Sequence, residues 1–294
     1  MNVLQVSPLE YHSKLRCNRS NILSSDSWLS KSVIWELETA SLYKWRNCPK
    51  DRTPTGAMQW GSLIDCLTTS PELERETLAL SLFDSFRTND AIKWRDEQLA
   101  AGRVIVTADE LAEGRKAARM LTETCEASAA IYAASKTQVV VMGRIRGVQV
   151  KGLIDLAPEG TDFLADLKTT SKFSLHGFQR SVAEYGYHAQ AGLYLALWNS
   201  MFPNDRRNRF KFVWQDAQPP YEVAVTELAG TDIEAGFSRI DHHIRRLVEA
   251  ARADVWPMAF EGAKPMIMRP TWADIQEEER NEQFRLELPD RDRR

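Results

Sequence analysis

Three successive segments between residues 137 and 170 alternate apolar and polar side chains with a period of two, which predicts three β-strands. The segments read TQVVVMGRIRG, VQVKGLIDLA and TDFLADLKTT, with turns at Gly147 and at the PEG sequence of residues 158–160. A helical pattern follows over about residues 178–201, and RFKFVWQ and YEVAVTEL then predict two further strands. We therefore expect an α/β fold in which helices flank a mixed central β-sheet.

Helical spacing of apolar residues dominates the first 135 residues. One helix is predicted over Ser32–Trp45, a second ends before Pro71, and a third spans Asp90–Ala100. Thr107 and Glu110 form a capping-box pattern that opens a fourth helix, which extends through LAEGRKAARMLTETCEASAAIYA.

The chain divides by composition into four parts. Residues 1–30 are rich in Ser and Asn and predict a flexible lead-in, residues 31–135 predict a largely helical N-terminal part, and residues 136–260 predict the sheet-containing core. Residues 261–294 are densely charged and predict a solvated or disordered C-terminal tail. Thr231 and Glu234 predict another capping box, at the start of a long amphipathic helix in the core.

The composition is that of a soluble globular protein, with 43% hydrophobic and 27% charged residues. No apolar run approaches the roughly 18–20 residues of a membrane span and no signal segment is recognisable, so we expect a cytoplasmic protein without membrane contact. The four cysteines form no C-x-x-C pair, which favours free thiols. A formal net charge of -3 does not indicate a nucleic-acid binder, but it does not exclude one whose metal-binding carboxylates offset its cations.

The acidic residues of the second and third predicted strands form a candidate metal site. Asp166 and Lys168 are two positions apart, so both project from the same face of the third strand. Asp155, on the preceding strand, can come within bridging distance of Asp166 when the two strands pair in register. Because Mg²⁺ prefers oxygen ligands, the Leu167 carbonyl is a further candidate beside the two carboxylates.

This arrangement suits phosphodiester hydrolysis, which needs an activated water and neutralisation of the negative charge that builds on the phosphate. Asp155 and Asp166 would hold the metal ion, while Lys168 would position or activate the water and stabilise charge on the phosphate. Gln190 and Tyr194 lie four apart on one stripe of the predicted helix and could orient Lys168 or contact the DNA backbone.

Together, these motifs resemble the PD-(D/E)xK nuclease superfamily, and within it the RecB-like branch, in which G-x-x-D, D-x-K and Q-x-x-x-Y follow in this order. The matching segments are GLID at 152–155, DLK at 166–168 and QAGLY at 190–194. The chain is also similar to RecE-type (exonuclease VIII) proteins of phages and prophages, whose G-[ST]-x-x-[H/D] segment and following Pro match GSLID at 61–65 and Pro71. Many of these relatives have His where this chain has Asp65, and Asp can also bind magnesium.

The resemblance implies a PD-(D/E)xK nuclease core whose cofactor is Mg²⁺, with Mn²⁺ as a substitute. It implies catalytic roles for Asp155, Asp166, Lys168, Gln190 and Tyr194, and metal ligation by Asp65, Asp155, Asp166 and the Leu167 carbonyl. It further implies a 5′-to-3′ exonuclease of phage or prophage recombination that digests one strand of double-stranded DNA and passes the product strand to a single-strand annealing protein. Processive relatives form rings around DNA, which implies a homo-oligomer.

Three alternatives stay open at this point. A Cas4-like nuclease would hold an iron–sulfur cluster with cysteines on both sides of the core, but all four cysteines here precede Asp155. An endonuclease would use the same chemistry. A catalytically silent module would keep the fold in order to bind DNA or to assemble with other proteins.

Several basic side chains could contact phosphates, since such contacts need cations without base-specific geometry. The candidates are Lys151, Lys172, Arg180, Arg206, Arg207, Arg209 and Lys211. The adjacent His242 and His243 lie about 100° apart around a helix, which is a poor chelating geometry, and we expect both at the surface.

Overall fold

The computed structural model describes residues 8–49, 54–262, 275–278 and 280. A first unit runs to Trp256, and residues 257–294 form a second. The charged tail predicted for 261–294 lies mostly outside the described residues. Among the described helices, none combines the length and the hydropathy that crossing a bilayer requires.

A mixed sheet of six strands forms the centre of the first unit. The strands of the described chain are β1 (Trp28–Ser30), β2 (Leu78–Leu80), β3 (Val104–Val106), β4 (Ser135–Ile145), β5 (Val148–Pro158), β6 (Phe163–Thr170), β7 (Arg209–Asp216) and β8 (Val223–Glu227). The central sheet has the order β1-β5-β6-β7-β8 with β4 also paired to β5, while β2 and β3 form a separate parallel pair. Within the central sheet, the β1–β5 and β6–β7 pairs are parallel and the β4–β5, β5–β6 and β7–β8 pairs are antiparallel, so the predicted mixed sheet and its five predicted strands are confirmed.

Helices cover both faces of this sheet. The α-helices of the described part of the first unit are α1 (Pro8–Ser13), α2 (Lys31–Trp35), α3 (Leu42–Asn47), α4 (Gly56–Thr69), α5 (Glu74–Thr77), α6 (Asn89–Ala100), α7 (Ala108–Arg119), α8 (Glu126–Ala134), α9 (Leu175–Tyr185), α10 (Tyr187–Met201) and α11 (Gly230–Ala253). Alternation along β7 shows the two layers: Phe212 and Trp214 pack in the apolar cluster with α10 and α11, whereas Val213 packs in the cluster with α4, α7 and α8.

The lead-in expected to be flexible is ordered from Pro8 onward. Strand β1 pairs with β5, and Leu29 at its centre is fully buried. Lys151 Nζ donates a hydrogen bond of 2.6 Å to the Tyr11 carbonyl and fastens α1 to β5. Buried residues of this segment recur without a fixed period, which is why the sequence did not indicate its structure.

Three of the predicted helices are shorter than expected. The helix over 32–45 is divided into α2, a 3₁₀ turn and α3, because Ser41 caps a new helix by accepting from the Lys44 N–H. The Thr107–Glu110 capping box is confirmed, but a π-helical turn at Met120–Thr124 separates α7 from α8. The helix over 178–201 is divided at residue 186 into α9 and α10.

Gly186 makes this last division obligatory. It ends α9 with a φ of 64°, in the left-handed region that favours glycine. A Cβ at this position would lie 2.2 Å from Cε2 of Trp35. The turn therefore fixes how α10, which carries the Q-x-x-x-Y motif, approaches α2.

We expect Gly186→Ala to lower the free energy of unfolding by about 2–5 kcal/mol, because the backbone strain and the clash with Trp35 add. Urea denaturation followed by circular dichroism measures this change. Gly230→Ala is the matched control, since a Cβ at Gly230 meets nothing within 4 Å. Equal urea midpoints for the two variants would contradict the structural role that we assign to Gly186.

The C-terminal helix of the first unit is attached to the N-terminal part through Glu38. Arg239 Nη2 donates to Glu38 Oε2 at 3.0 Å, and His243 Nε2 lies 2.6 Å from Glu38 Oε1. His243 is fully buried, so the expectation that it lies at the surface is wrong. The predicted Thr231–Glu234 box is also absent, since α11 begins at Gly230, two residues before the predicted start, and its N-cap Ala229 makes no side-chain hydrogen bond.

The contacts of Glu38 with Arg239 and His243 make the stability of the fold depend on pH. Hydrogen bonding from Arg239 lowers the pKa of Glu38, and although burial raises it, the hydrogen bond with His243 adds to the lowering, so that the pKa is about 2. Since the folded pKa lies below the ordinary value near 4.5, the ionised group stabilises the fold above pH 4.5, and this contribution is lost as the pH falls toward 2. We expect Glu38→Gln to be less stable than wild type at pH 7 and the difference to shrink between pH 4.5 and 2. Thermal unfolding across this range measures it, and a constant difference would contradict the account.

Candidate active site

The two candidate carboxylates meet where β5 changes its partner. The first part of β5 pairs with β1, and β5 pairs with β6 only at Leu156. Residues 152–155 therefore have no ladder partner among the described residues on this edge of β5, and an opening separates β1 from β6. The Leu156–Ala165 pair sets an antiparallel register in which Asp155 stands opposite Asp166. The register that we expected from the sequence is therefore present.

This opening is a cleft of about 520 Å³. Its walls include the side chains of Asp155, Asp166, Lys168, Gln190 and Tyr194. Five of the sequence-predicted site residues thus line one cavity.

Asp155 takes part in holding the two strands together. Its Oδ2 accepts a hydrogen bond of 3.0 Å from the Leu167 N–H of β6. Burial, followed by the negative charges of Asp166 and Asp65, raises the pKa of the Asp155 carboxyl well above its usual range. A cation at this position would relieve that repulsion.

Asp166 is almost completely buried, with 2% of its surface exposed. Its Oδ1 accepts a hydrogen bond of 2.5 Å from Gln190 Nε2. Its Oδ2 forms a close ion pair with the Lys168 ammonium. Gln190 Oε1 in turn accepts from Lys168 Nζ at 3.4 Å, so this amide bridges the carboxylate and the ammonium.

Lys168 is a fixed positive charge in the cleft. Burial alone lowers the pKa of its ammonium, but Asp166 and other negative neighbours outweigh burial, and the net pKa is raised. The ammonium also lies 4.4 Å from the ring centroid of Tyr187. A group held protonated in this way stabilises negative charge better than it accepts a proton.

Tyr194 has a packing role in this site. Its ring lies against Gly152, where a Cβ would come within 2.8 Å of two ring carbons. The glycine of G-x-x-D thus admits the tyrosine of Q-x-x-x-Y, and α10 approaches β5 closely enough for Gln190 to reach Asp166. No hydrogen bond links Tyr194 to Lys168 within the described residues.

Asp65 approaches the site from α4. Its two carboxylate oxygens accept hydrogen bonds from Gln138 Nε2 at 3.0 and 3.1 Å, and Oδ1 also accepts from Thr69 Oγ1 at 3.0 Å. Burial, offset by Thr69 and reinforced by the charge of Asp166, raises the pKa of Asp65 to about 6. Asp65 therefore lies within electrostatic reach of the carboxylate pair, but its oxygens are engaged with other side chains.

The three carboxylates do not form a ready-made cage. Across the described ranges, no three His, Cys, Asp or Glu side chains lie close enough together to hold a metal ion among themselves. Asp155, Asp166 and the Leu167 carbonyl are the groups here that could hold an ion.

Two residues near the site were missed by sequence reasoning. Lys31 lies 5.9 Å from the ring centroid of Tyr187, on which Lys168 also packs. Burial and the charge of Lys168 lower the pKa of Lys31 to about 7. Gln138 contacts Asp65 from β4. Neither belongs to a motif, and both act through contacts between distant parts of the chain.

Some of the expected phosphate contacts are unsuitable. Arg207 is buried and donates to the carbonyls of Pro158 and Phe163, so its guanidinium holds the β5–β6 turn. Lys151 is buried against Tyr11. The side chains that remain exposed are those of Lys172, Arg180, Arg206 and Arg209, although Arg209 pairs with Glu227 and Asp162.

Comparison with known structures agrees with this fold. A candidate exonuclease from Eubacterium rectale superposes with a TM-score of 0.58 at 12% identity, over 92% of this chain and 98% of that chain. An alkaline exonuclease from Laribacter hongkongensis gives a TM-score of 0.30 at 16% identity, over 66% of this chain and 94% of that chain. This score is too low to indicate a shared fold. At 12% identity the first similarity shows the fold alone. No curated protein sequence matches the chain.

The sequence pattern of one family matches residues 37–267, which include Asp65, Asp155, Asp166, Lys168, Gln190 and Tyr194. The family is described as PDDEXK-like domain of unknown function (DUF3799). The chain therefore belongs to this PDDEXK-like family, within the PD-(D/E)xK nuclease superfamily.

Proposed function

We propose that this protein is a divalent-metal-dependent deoxyribonuclease, and more narrowly a 5′-to-3′ exonuclease that acts on double-stranded DNA. The observation that carries the proposal is the register that sets Asp155 opposite Asp166, with Lys168 paired to Asp166 in the same cleft. Two adjacent carboxylates that can hold a metal ion, with a fixed ammonium that neutralises charge, suit hydrolysis of a phosphodiester.

The residues present fit a hard divalent cation such as Mg²⁺, with Mn²⁺ as a substitute. The negative charge of Asp166 adds to burial in raising the pKa of the Asp155 carboxyl, and a bound cation would relieve this repulsion. These two carboxylates and the Leu167 carbonyl would hold the ion, with Asp65 as a further ligand. When bound, the ion would lower the pKa of a water and polarise the phosphate.

The remaining side chains position the chemistry. Lys168 stabilises the negative charge that develops on the phosphate. Gln190 fixes Asp166 and Lys168 relative to each other through its two hydrogen bonds. Tyr194, seated on Gly152, holds α10 against β5 so that these bonds form.

The exonuclease assignment rests on resemblance to RecE-type proteins and on the similar fold of the Eubacterium rectale protein, described as a candidate exonuclease. A role in phage or prophage recombination, a single-strand annealing partner and a homo-oligomer around DNA follow from the RecE-type resemblance. Endonuclease activity and DNA binding without cleavage are the competing outcomes.

Digestion of linear and covalently closed circular duplex DNA with Mg²⁺ tests the proposal, using strands labelled at the 5′ or the 3′ end. Early release of the 5′ label from linear DNA alone would support the exonuclease and its direction. Cutting of circles would indicate an endonuclease, and binding without any cutting would indicate a silent module. Asp109→Asn, an exposed carboxylate at the start of α7, serves as the control variant.

A further inference from the structure

Gln138 occupies an unusual place in β4. Its neighbours Thr137 and Val139 pair with Leu156 and Ile154 of β5, so Gln138 stands opposite Asp155. The Gln138–Asp155 pair itself is absent from the ladder. The strand is thus interrupted at the level of a candidate metal ligand.

The backbone of Gln138 explains the interruption. Its φ is 51°, in the left-handed region that a glutamine rarely adopts. A strained conformation in the middle of a strand persists only where the surrounding contacts hold it, and such residues concentrate at functional sites. For Gln138, the contacts that hold this conformation are made by its own side chain.

The Gln138 amide is a shared donor at the edge of the site. Its Nε2 lies 3.0 and 3.1 Å from the two Asp65 oxygens and 2.9 Å from Thr69 Oγ1. Since a carboxylate only accepts hydrogen bonds, the nitrogen and not the oxygen of the amide must face Asp65. Gln138 is buried, so water competes little for these bonds.

We propose that Gln138 is a positioning residue, which uses its left-handed place opposite Asp155 to hold the Asp65 carboxylate as a further ligand beside the Asp155–Asp166 pair. This inference rests on the metal-dependent function proposed above. It adds a residue from β4 that acts on the metal only through Asp65. Side chains that orient metal ligands in this way affect metal affinity by about 10- to 100-fold.

The test begins with Mn²⁺ binding measured by calorimetry in the absence of DNA. Gln138→Met keeps the length of the side chain and removes the donor, and we expect its Kd for Mn²⁺ to rise about tenfold or more. Gln138→Gly removes the donor and also relieves the backbone strain, so an equal loss of Mn²⁺ affinity would assign the effect to the missing donor and not to strain. Gln179→Met, at an exposed position of α9, is the control.

A double-mutant cycle with Asp65→Asn separates positioning from general damage. Once Asp65 has lost its charge, Gln138→Met should weaken Mn²⁺ binding little further. In DNA cleavage, the Mg²⁺ concentration for half-maximal rate should rise in Gln138→Met, and saturating Mg²⁺ should restore most of the rate. A merely structural role would lower the rate at every metal concentration.

The possible failures are distinguishable. If wild type binds Mn²⁺ and cleaves DNA but Gln138→Met binds equally tightly, the positioning role is wrong and the nuclease assignment stands. An undiminished effect of Gln138→Met in the Asp65→Asn background overturns the role as well. If wild type neither binds Mn²⁺ nor cleaves DNA, the proposed function fails and the inference fails with it.

Discussion

Asp166→Asn is expected to reduce DNA cleavage at saturating Mg²⁺ by at least about 10³-fold, because metal-assisted charge stabilisation contributes several kcal/mol to the transition state. The substitution is nearly isosteric, and an Asn Oδ1 can still accept from Gln190. It also removes one of the like charges that raise the pKa of Asp155. The buried Lys168 ammonium loses its ion-pair partner, so we expect a lower unfolding midpoint in a protein that still folds.

Single-turnover cleavage of linear duplex DNA measures the chemical step directly, and circular dichroism verifies the fold. The exposed carboxylate variant Asp109→Asn should cleave at the wild-type rate. An Asp166→Asn protein that retains cleavage within a few-fold of wild type would show that the catalytic centre lies elsewhere.

Lys168→Met is expected to slow the same step by about 10²- to 10³-fold, the cost of removing one preorganised donor to developing negative charge. The ammonium of Lys168 is the partner of Asp166, so its removal also leaves that buried carboxylate without its ion pair. We expect a lower unfolding midpoint at low metal concentration and partial recovery of this midpoint when Mg²⁺ is added.

Rates under single-turnover conditions and thermal midpoints with and without Mg²⁺ test this second effect. Lys93→Met, at an exposed position of α6, is the matched control. Unchanged cleavage by Lys168→Met would remove the lysine from the mechanism, whatever its effect on stability.

Much of the sheet and of the site could be predicted because both depend on local periodicity. Period two gave the strands, and the spacing of Asp166 and Lys168 placed both side chains on one face of β6. The opposition of Asp155 and Asp166 followed from an antiparallel register with a short turn. These features need only neighbours in sequence or adjacent strands.

The features that could not be predicted depend on contacts between distant segments. The lead-in is structured because β1 pairs with β5. The buried ring of His243 contacts Glu38, which is 205 positions away in the sequence. The left-handed φ of Gln138 is invisible in a segment that reads as a regular strand. Gly186 could have indicated a helix end, but the apolar pattern continues through it.

Dependence of cleavage on a divalent cation tests the central claim most directly. Linear duplex DNA is incubated with purified protein in EDTA and then with increasing Mg²⁺ or Mn²⁺, for wild type and Asp166→Asn. We expect no cleavage in EDTA, cleavage that rises with metal to saturation in wild type, and at most a trace in the variant. Cleavage that persists in EDTA, or intact DNA at every metal concentration, would contradict a carboxylate-held metal centre at Asp155 and Asp166.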